Sequence, residues 1–250
     1  SIGHVVRIVN TSNLSLAARV VNSFNPDLVY IQYDGYSRIC KEIECKNILI
    51  GTHTGAYIRK TEWSEEKEEW MPVSNWVPDI VRHTSLTLAS DMHLLCLSSG
   101  IRNAFLERGG TPSRIHLVRN GIKTSNFRFE KKCKEPNKTI YLARVDMNKS
   151  QYLYQGIESV DFVGRVEDSK SVKKRFDESS KRYLGQWSKN KIYEELTNYA
   201  NLALLSTSEA HSLVCMEALS SGLGLVVSEA ASANLDINKP FIEVVVYFEV

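Results

Sequence analysis

The chain has 250 residues, 43% of them hydrophobic and 24% charged, so it can bury one large core or two modest ones and is too apolar for a disordered chain. Its 31 basic and 29 acidic residues leave a net charge of +2, which supplies no strong field for nucleic acid. No apolar run approaches the roughly 18 residues of a membrane span, and no basic-then-apolar signal peptide opens the sequence, so the expectation is a cytoplasmic protein with peripheral membrane association left open.

In chain order, short β-branched runs occur at "HVVRIV" (4–9), "LVYIQYD" (28–34), "NILIGTH" (47–53), "HLLCLSS" (93–99) and "RIHLVRNG" (114–121). Helix-period segments separate them, among them "SLAARVVNSF" (15–24) and "GIRNAFLERGG" (100–110), the latter closed by a glycine pair. A polar, lysine-rich stretch (128–138) is expected to be a linker, after which strands resume at "TIYLARV" (139–145), "VDFVGRV" (160–166), "RYLGQW" (182–187), "LALLSTS" (202–208), "GLVVSEA" (224–230) and "EVVVYFEV" (243–250). Strands that are apolar throughout and take turns with helices predict parallel sheets covered on both faces. The expected architecture is therefore α/β, with two Rossmann-like parallel-sheet domains, 1–127 and 128–250, facing a cleft. Trp63 and Trp70 lie seven residues apart in an acidic stretch, a spacing that predicts an amphipathic surface helix with both indoles on one face. The five cysteines, Cys40, Cys45, Cys96, Cys133 and Cys215, are odd in number and lack CxxC spacing, which points to a reducing compartment and no structural metal.

Ligands of open α/β sheets bind outside the carboxyl ends of the strands, and four charged residues fall there or just beyond. Arg144 and Lys149 follow "TIYLA", Glu209 follows "LALLSTS", and Glu217 lies inside the next, largely apolar helix. Two cations beside a helix N-terminus make a diphosphate clamp, because the amides around Ser212, Leu213 and Val214 and the helix dipole add to the same attraction. Carboxylates would repel phosphate but accept hydrogen bonds from vicinal hydroxyls, as ribose and sugars supply.

These residues carry a resemblance to a known family. "LLSTSEAHSLVCMEALSSGLGLVVSEA" resembles the E-x7-E donor-binding signature of retaining GT-B glycosyltransferases of family 4. "TIYLARVDMNKS", "YLGQWSKNKIYEELTNYANLALL", "SSGIRNAFLERGGTPSRIHLVRNGIKTSNF", "FNPDLVYIQYD" and "ILIGTHTG" are similar, in order, to further motifs of that family, so that the match spans about residues 15–235. The resemblance implies that Glu217 grips the ribose, Glu209 contacts the donor sugar, and Arg144 and Lys149 hold the diphosphate. It also implies that His53 reaches toward donor and acceptor, and that no metal or cofactor is needed besides a UDP- or GDP-sugar substrate; the lack of an Asp-x-Asp pair agrees.

Departures from the family pattern are local. Ala143 replaces the usual glycine before Arg144, Arg119 the usual proline before Asn120, and Ala210-His211-Ser212 the usual Gly-Phe-Gly. His211 thus either contacts the donor or packs. Family members usually begin with a strand and Gly-rich loop and end in helices, so a shortened or incomplete chain is expected here. The implied activity is metal-independent, hexosyltransferase-like transfer, with retention, from a nucleotide sugar to a glycan, lipid-linked or small-molecule acceptor. A nucleotide-sugar epimerase or hydrolase of similar fold, and a non-catalytic sugar-nucleotide-binding subunit, stay open as alternatives.

Overall fold

A computed structural model describes residues 3–53, 60–73, 78–89 and 91–246. Contacts divide the chain into two compact units, residues 1–57 with 77–118 and residues 58–76 with 119–250. Thr54 and Gly55 of the "ILIGTHTG" motif and the 247–250 end of the last expected strand lie outside the described residues.

The first unit is built on a four-stranded parallel sheet, β1 (Val29–Ile31), β2 (Ile48–Thr52), β5 (His93–Cys96) and β6 (Ile115–Leu117), in the order β1-β2-β5-β6. Its helices start where the sequence offers a side-chain acceptor for an orphan amide. Asn13 Oδ1 accepts from the amide of Leu16 at 3.0 Å to start α1 (Leu14–Phe24), and Ser98 Oγ accepts from that of Ile101 at 3.3 Å to start α3 (Ser99–Glu107). Between them lies α2 (Pro78–Ala89). The run 4–9 is not a strand: its residues have no regular structure, and Val5, Val6 and Ile8 are exposed because no neighbouring strand pairs with them among the described residues.

The second unit carries a five-stranded parallel sheet of order β11-β10-β9-β7-β8, formed by β7 (Glu135–Leu142), β8 (Val160–Val163), β9 (Tyr199–Leu204), β10 (Gly224–Ser228) and β11 (Ile242–Val245). All four residues of β8 are buried, as expected of a parallel strand covered on both faces. Helices α4 (Lys170–Arg175), α5 (Lys189–Glu195) and α6 (Leu213–Ser220) complete it around a core that includes Tyr141, Phe162, Leu196, Leu202 and Leu225. Two expectations are corrected here. The lysine-rich stretch is not all linker, since β7 already begins at Glu135. The run 182–187 is not a full strand: Tyr183 makes one parallel bridge to Phe162, and the chain then turns through Gly185 at φ +73°.

The largest correction concerns the tryptophans. Residues 61–72 form an antiparallel hairpin, β3 (Thr61–Ser64) and β4 (Glu69–Pro72), in which Trp63 is directly opposite Trp70 and the rings meet edge to face at 5.7 Å. The physical reason is the tetrad Glu65-Glu66-Lys67-Glu68, which is too polar to continue an apolar stripe and ends with Glu68 in a left-handed conformation (φ +53°), so it makes a turn. Although it falls within the first half of the sequence, the hairpin belongs to the second unit. The Trp63 indole N–H donates to Ser171 Oγ at 2.9 Å, Ser171 Oγ donates to Glu65 Oε2 at 2.8 Å, Lys174 pairs with Glu68 at 2.7 Å, and the Arg175 guanidinium lies 4.8 Å from the Trp63 ring centre. All three partner residues belong to α4.

Candidate functional site

From β7 the chain passes to β8 on one side and then to β9 on the other, so the strand order reverses between β7 and β9. Such a reversal opens a crevice at the carboxyl ends of the two strands. The loops that leave those ends, 143–150 after β7 and 205–212 after β9, carry Arg144, Lys149, Glu209, His211 and Ser212.

One buried phenol ties the two loops together. Tyr141, fully buried at the end of β7, donates a short hydrogen bond to the carbonyl of Lys149 and accepts the amide of Leu205 at 2.8 Å; burial raises its pKa well above the usual value, which keeps the donor proton on the oxygen. Asn148 adds a second tie, donating to the carbonyl of Ser208 at 3.0 Å and accepting from Thr207 Oγ1 at 2.7 Å. On the other side of β7, the loop after β8 comes so close that a Cβ on Gly164 (φ +151°) would lie 1.7 Å from the carbonyl oxygen of Ala143. Only glycine fits there.

On this frame the charged groups form a chain. Asp146, 3% exposed, accepts from Arg144 Nε at 2.6 Å and, through its other oxygen, from the amide of Lys149 at 2.8 Å. The hydrogen bond to Asp146 raises the pKa of Arg144 further, while the guanidinium itself stays 55% exposed. The Lys149 ammonium pairs with Glu209, which also accepts from Ser206 Oγ at 2.7 Å. Both side chains are largely shielded, at 18% and 13% exposure, so the pair is less screened by solvent than a surface ion pair.

Helix α6 begins four residues after Glu209. Ser212 caps it by accepting the amide of Cys215 at 3.3 Å, so the first-turn amides of Leu213 and Val214 lie beside the Glu209 loop. Glu217, on the second turn, is buried at 8% exposure and is paired with Lys189 at the start of α5. His211 is buried and accepts the amide of Asn120 at 3.1 Å through Nδ1. Burial, with the positive charge of Arg119 nearby, lowers its pKa. Arg119 itself is exposed.

In the first unit, His53 follows β2 and its Nε2 meets the Tyr30 hydroxyl at 2.5 Å; it is exposed on its outer side, yet partial desolvation lowers its pKa. Gly51 makes room for that pair, since a Cβ there would lie 2.4 Å from both atoms. Arg144, Lys149 and Glu209 thus come together on adjacent strand ends, Ser212 and Leu213 border them, and Glu217 has a partner of its own. Sequence reasoning missed Asp146, Tyr141 and Lys189. Asp146 was findable as the one carboxylate between the two cations, whereas a tyrosine inside a strand gives no sign that its hydroxyl ties two loops, and no spacing relates Lys189 to Glu217.

Among the described residues, no group of three or more His, Cys, Asp or Glu is arranged to hold a metal ion, and no helix is long and apolar enough to cross a membrane.

No protein-family model and no curated protein sequence matches the chain. Solved structures do match in fold. They include Anabaena HepE in complex with UDP and glucose (17% identity, TM-score 0.62, covering 86% of this chain and 63% of that one). They also include sucrose-phosphate synthase from Thermosynechococcus elongatus (12%, TM-score 0.67, covering 97% and 68%) and the lipopolysaccharide outer core galactosyltransferase WaaB (17%, TM-score 0.59, covering 93% and 65%). The chain therefore has the α/β fold of GT-B glycosyltransferases, with two Rossmann-like parallel-sheet units, and it spans 63% of the length of HepE.

Proposed function

We propose that the chain transfers a hexose-like sugar from a nucleotide diphosphate sugar to an acceptor. The observation that carries this reading is the convergence of Arg144, Asp146, Lys149 and Glu209 at the strand-order reversal of the second unit. A sheet of this kind binds its ligand at that place, and these residues match the chemistry of a sugar diphosphate. Arg144, aimed by Asp146, and Lys149, aimed through its own amide and Glu209, offset the charge of the diphosphate as it leaves, which is electrostatic catalysis by groups already in position. When phosphate arrives, Lys149 exchanges part of its contact with Glu209 for phosphate oxygens, and Glu209 is left to accept sugar hydroxyls. Glu217 takes the ribose hydroxyls, exchanging its ammonium partner for them. The crystal complex of HepE with UDP and glucose favours a UDP-sugar over a GDP-sugar as donor.

Transfer proceeds with retention, without a divalent ion. The bond between the anomeric carbon and the β-phosphate oxygen breaks, the acceptor oxygen bonds to the same face of that carbon, and the acceptor proton passes to the departing phosphate. His53 of the first unit assists the sugar or the acceptor. The experiment is incubation with UDP- and GDP-sugars, with and without glycan acceptors, and measurement of nucleotide release and product anomer. Acceptor-dependent release with retention is expected. Donor conversion that needs no acceptor would make the chain an epimerase or hydrolase, and binding without turnover would make it a sugar-nucleotide-binding subunit.

A further inference from the structure

A cavity of about 220 Å³ lies beside the clamp, bounded on one side by the hairpin residues Glu62, Trp63 and Trp70 and on the other by Arg144, Asp146 and Glu167. Its size is below the roughly 300–1,000 Å³ of pockets for drug-sized ligands and suits a single ring. Every lining residue belongs to the second unit. The hairpin wall is fixed, because Trp63 is hydrogen-bonded to Ser171 and stacked under Arg175, Glu65 accepts from Ser171, and Trp70 packs edge to face on Trp63. The opposite wall is fixed by the bond from Arg144 to Asp146.

The chemistry of the lining selects a ligand class. Four carboxylates, those of Glu62, Glu65, Asp146 and Glu167, oppose an anion, so the cavity does not extend the diphosphate site. The guanidinium in one wall, and that of Arg175 over Trp63, oppose a cation. Carboxylates only accept hydrogen bonds and a guanidinium only donates them, so the fitting ligand has groups that do both, and hydroxyls do. Indole rings supply the apolar surface on which the C–H face of a sugar ring packs. Arg144 is shared between the clamp and the cavity, which sets such a ring next to the departing phosphate, whereas Glu209 lies outside the lining.

We propose that this cavity binds one neutral sugar unit of the acceptor, so that the hairpin is an acceptor-recognition element. Assigning the sugar to the acceptor rests on the transferase reading above; the binding itself does not. The test uses the whole chain labelled with ¹⁵N, following the indole N–H signals of Trp63 and Trp70, assigned by Trp63→Phe and Trp70→Phe, with buried Trp187 as reference. D-glucose, D-galactose and N-acetylglucosamine are titrated separately, with cationic glucosamine and inorganic pyrophosphate as counter-probes. A saturable shift of the Trp63 and Trp70 signals with at least one neutral sugar is expected, weakened about tenfold by Glu167→Gln, whose unshifted Trp187 signal reports that it is folded. No response to any neutral sugar, a response only to glucosamine or pyrophosphate, or a response that Glu167→Gln leaves unchanged would overturn the proposal. UDP is titrated in a parallel arm, where loss of UDP binding alongside an intact sugar response would sink the transferase reading and leave the cavity assignment standing.

Discussion

At the scale of single residues, the site is organised by Tyr141, which ties the loops after β7 and β9, and by Asp146, which holds Arg144 and the amide of Lys149. Tyr141→Phe removes the hydroxyl that joins the Lys149 carbonyl to the Leu205 amide, and the loss of these two buried hydrogen bonds should cost about 1–3 kcal/mol. Urea unfolding should show that loss, and nucleotide release should slow because Lys149 is less well placed. Glu209→Gln should lower kcat about 100-fold with UDP affinity little changed, as expected of a group that acts on the reacting sugar. Glu217→Ala should instead weaken UDP binding about tenfold or more, read by calorimetry, with the turnover of saturated enzyme less affected. Equal effects of the two substitutions on binding and turnover would contradict the assigned division of roles. Glu217 was legible in the sequence because a carboxylate in an apolar helix needs compensation, and the structure buries it as that argument requires. Its ammonium partner was not legible, since nothing in the spacing of Lys189 relates the start of one helix to the second turn of another.

At the scale of elements, the strands of both sheets were readable because parallel strands buried on both faces are continuous apolar runs. The failures have separate causes. "HVVRIV" has strand composition but no pairing neighbour among the described residues, and pairing rather than propensity makes a strand. Trp63 and Trp70 share a face under either period, because seven residues are about two helical turns and also the separation of two residues paired across a four-residue turn. The five consecutive charged residues between the two tryptophans, Glu65 to Glu69, were the deciding signal. The hairpin should accordingly depend on its anchor to α4: Ser171→Ala removes the acceptor of the Trp63 indole and the donor to Glu65, and should cost about 1–3 kcal/mol in thermal or urea unfolding. Ser171→Thr, which keeps the hydroxyl, should lose less. An unchanged midpoint for Ser171→Ala would mean that the hairpin is held by the Glu68 ion pair and the Arg175 stacking instead.

At the scale of the whole molecule, two measurements bear on the reading. UDP at about 100 times its dissociation constant should raise stability by roughly 2.7 kcal/mol, visible as a thermal shift. Stability should also fall as pH drops below neutrality. His211 and His53 both have pKa values lowered in the folded state, so the unfolded chain takes up protons first, and stability present above about pH 6.5 is lost as the pH falls from there toward the folded values. For His211, protonation at Nδ1 also removes the acceptor of the Asn120 amide. His211→Gln should flatten that slope in urea titrations at pH 7.5 and 5.5. A further consequence follows from the order in which the backbone visits the two units. Residues 58–76 leave the first and join the second before the chain returns, so three peptide crossings link the two bodies. Gene segments cut at 118/119 would therefore not yield autonomous halves. A fragment starting at Arg119 would leave behind Trp63, Glu65 and Glu68, stripping α4 of its cover and Arg144 of its facing wall, and should be less soluble than one in which the 58–76 stretch is supplied as a separate peptide.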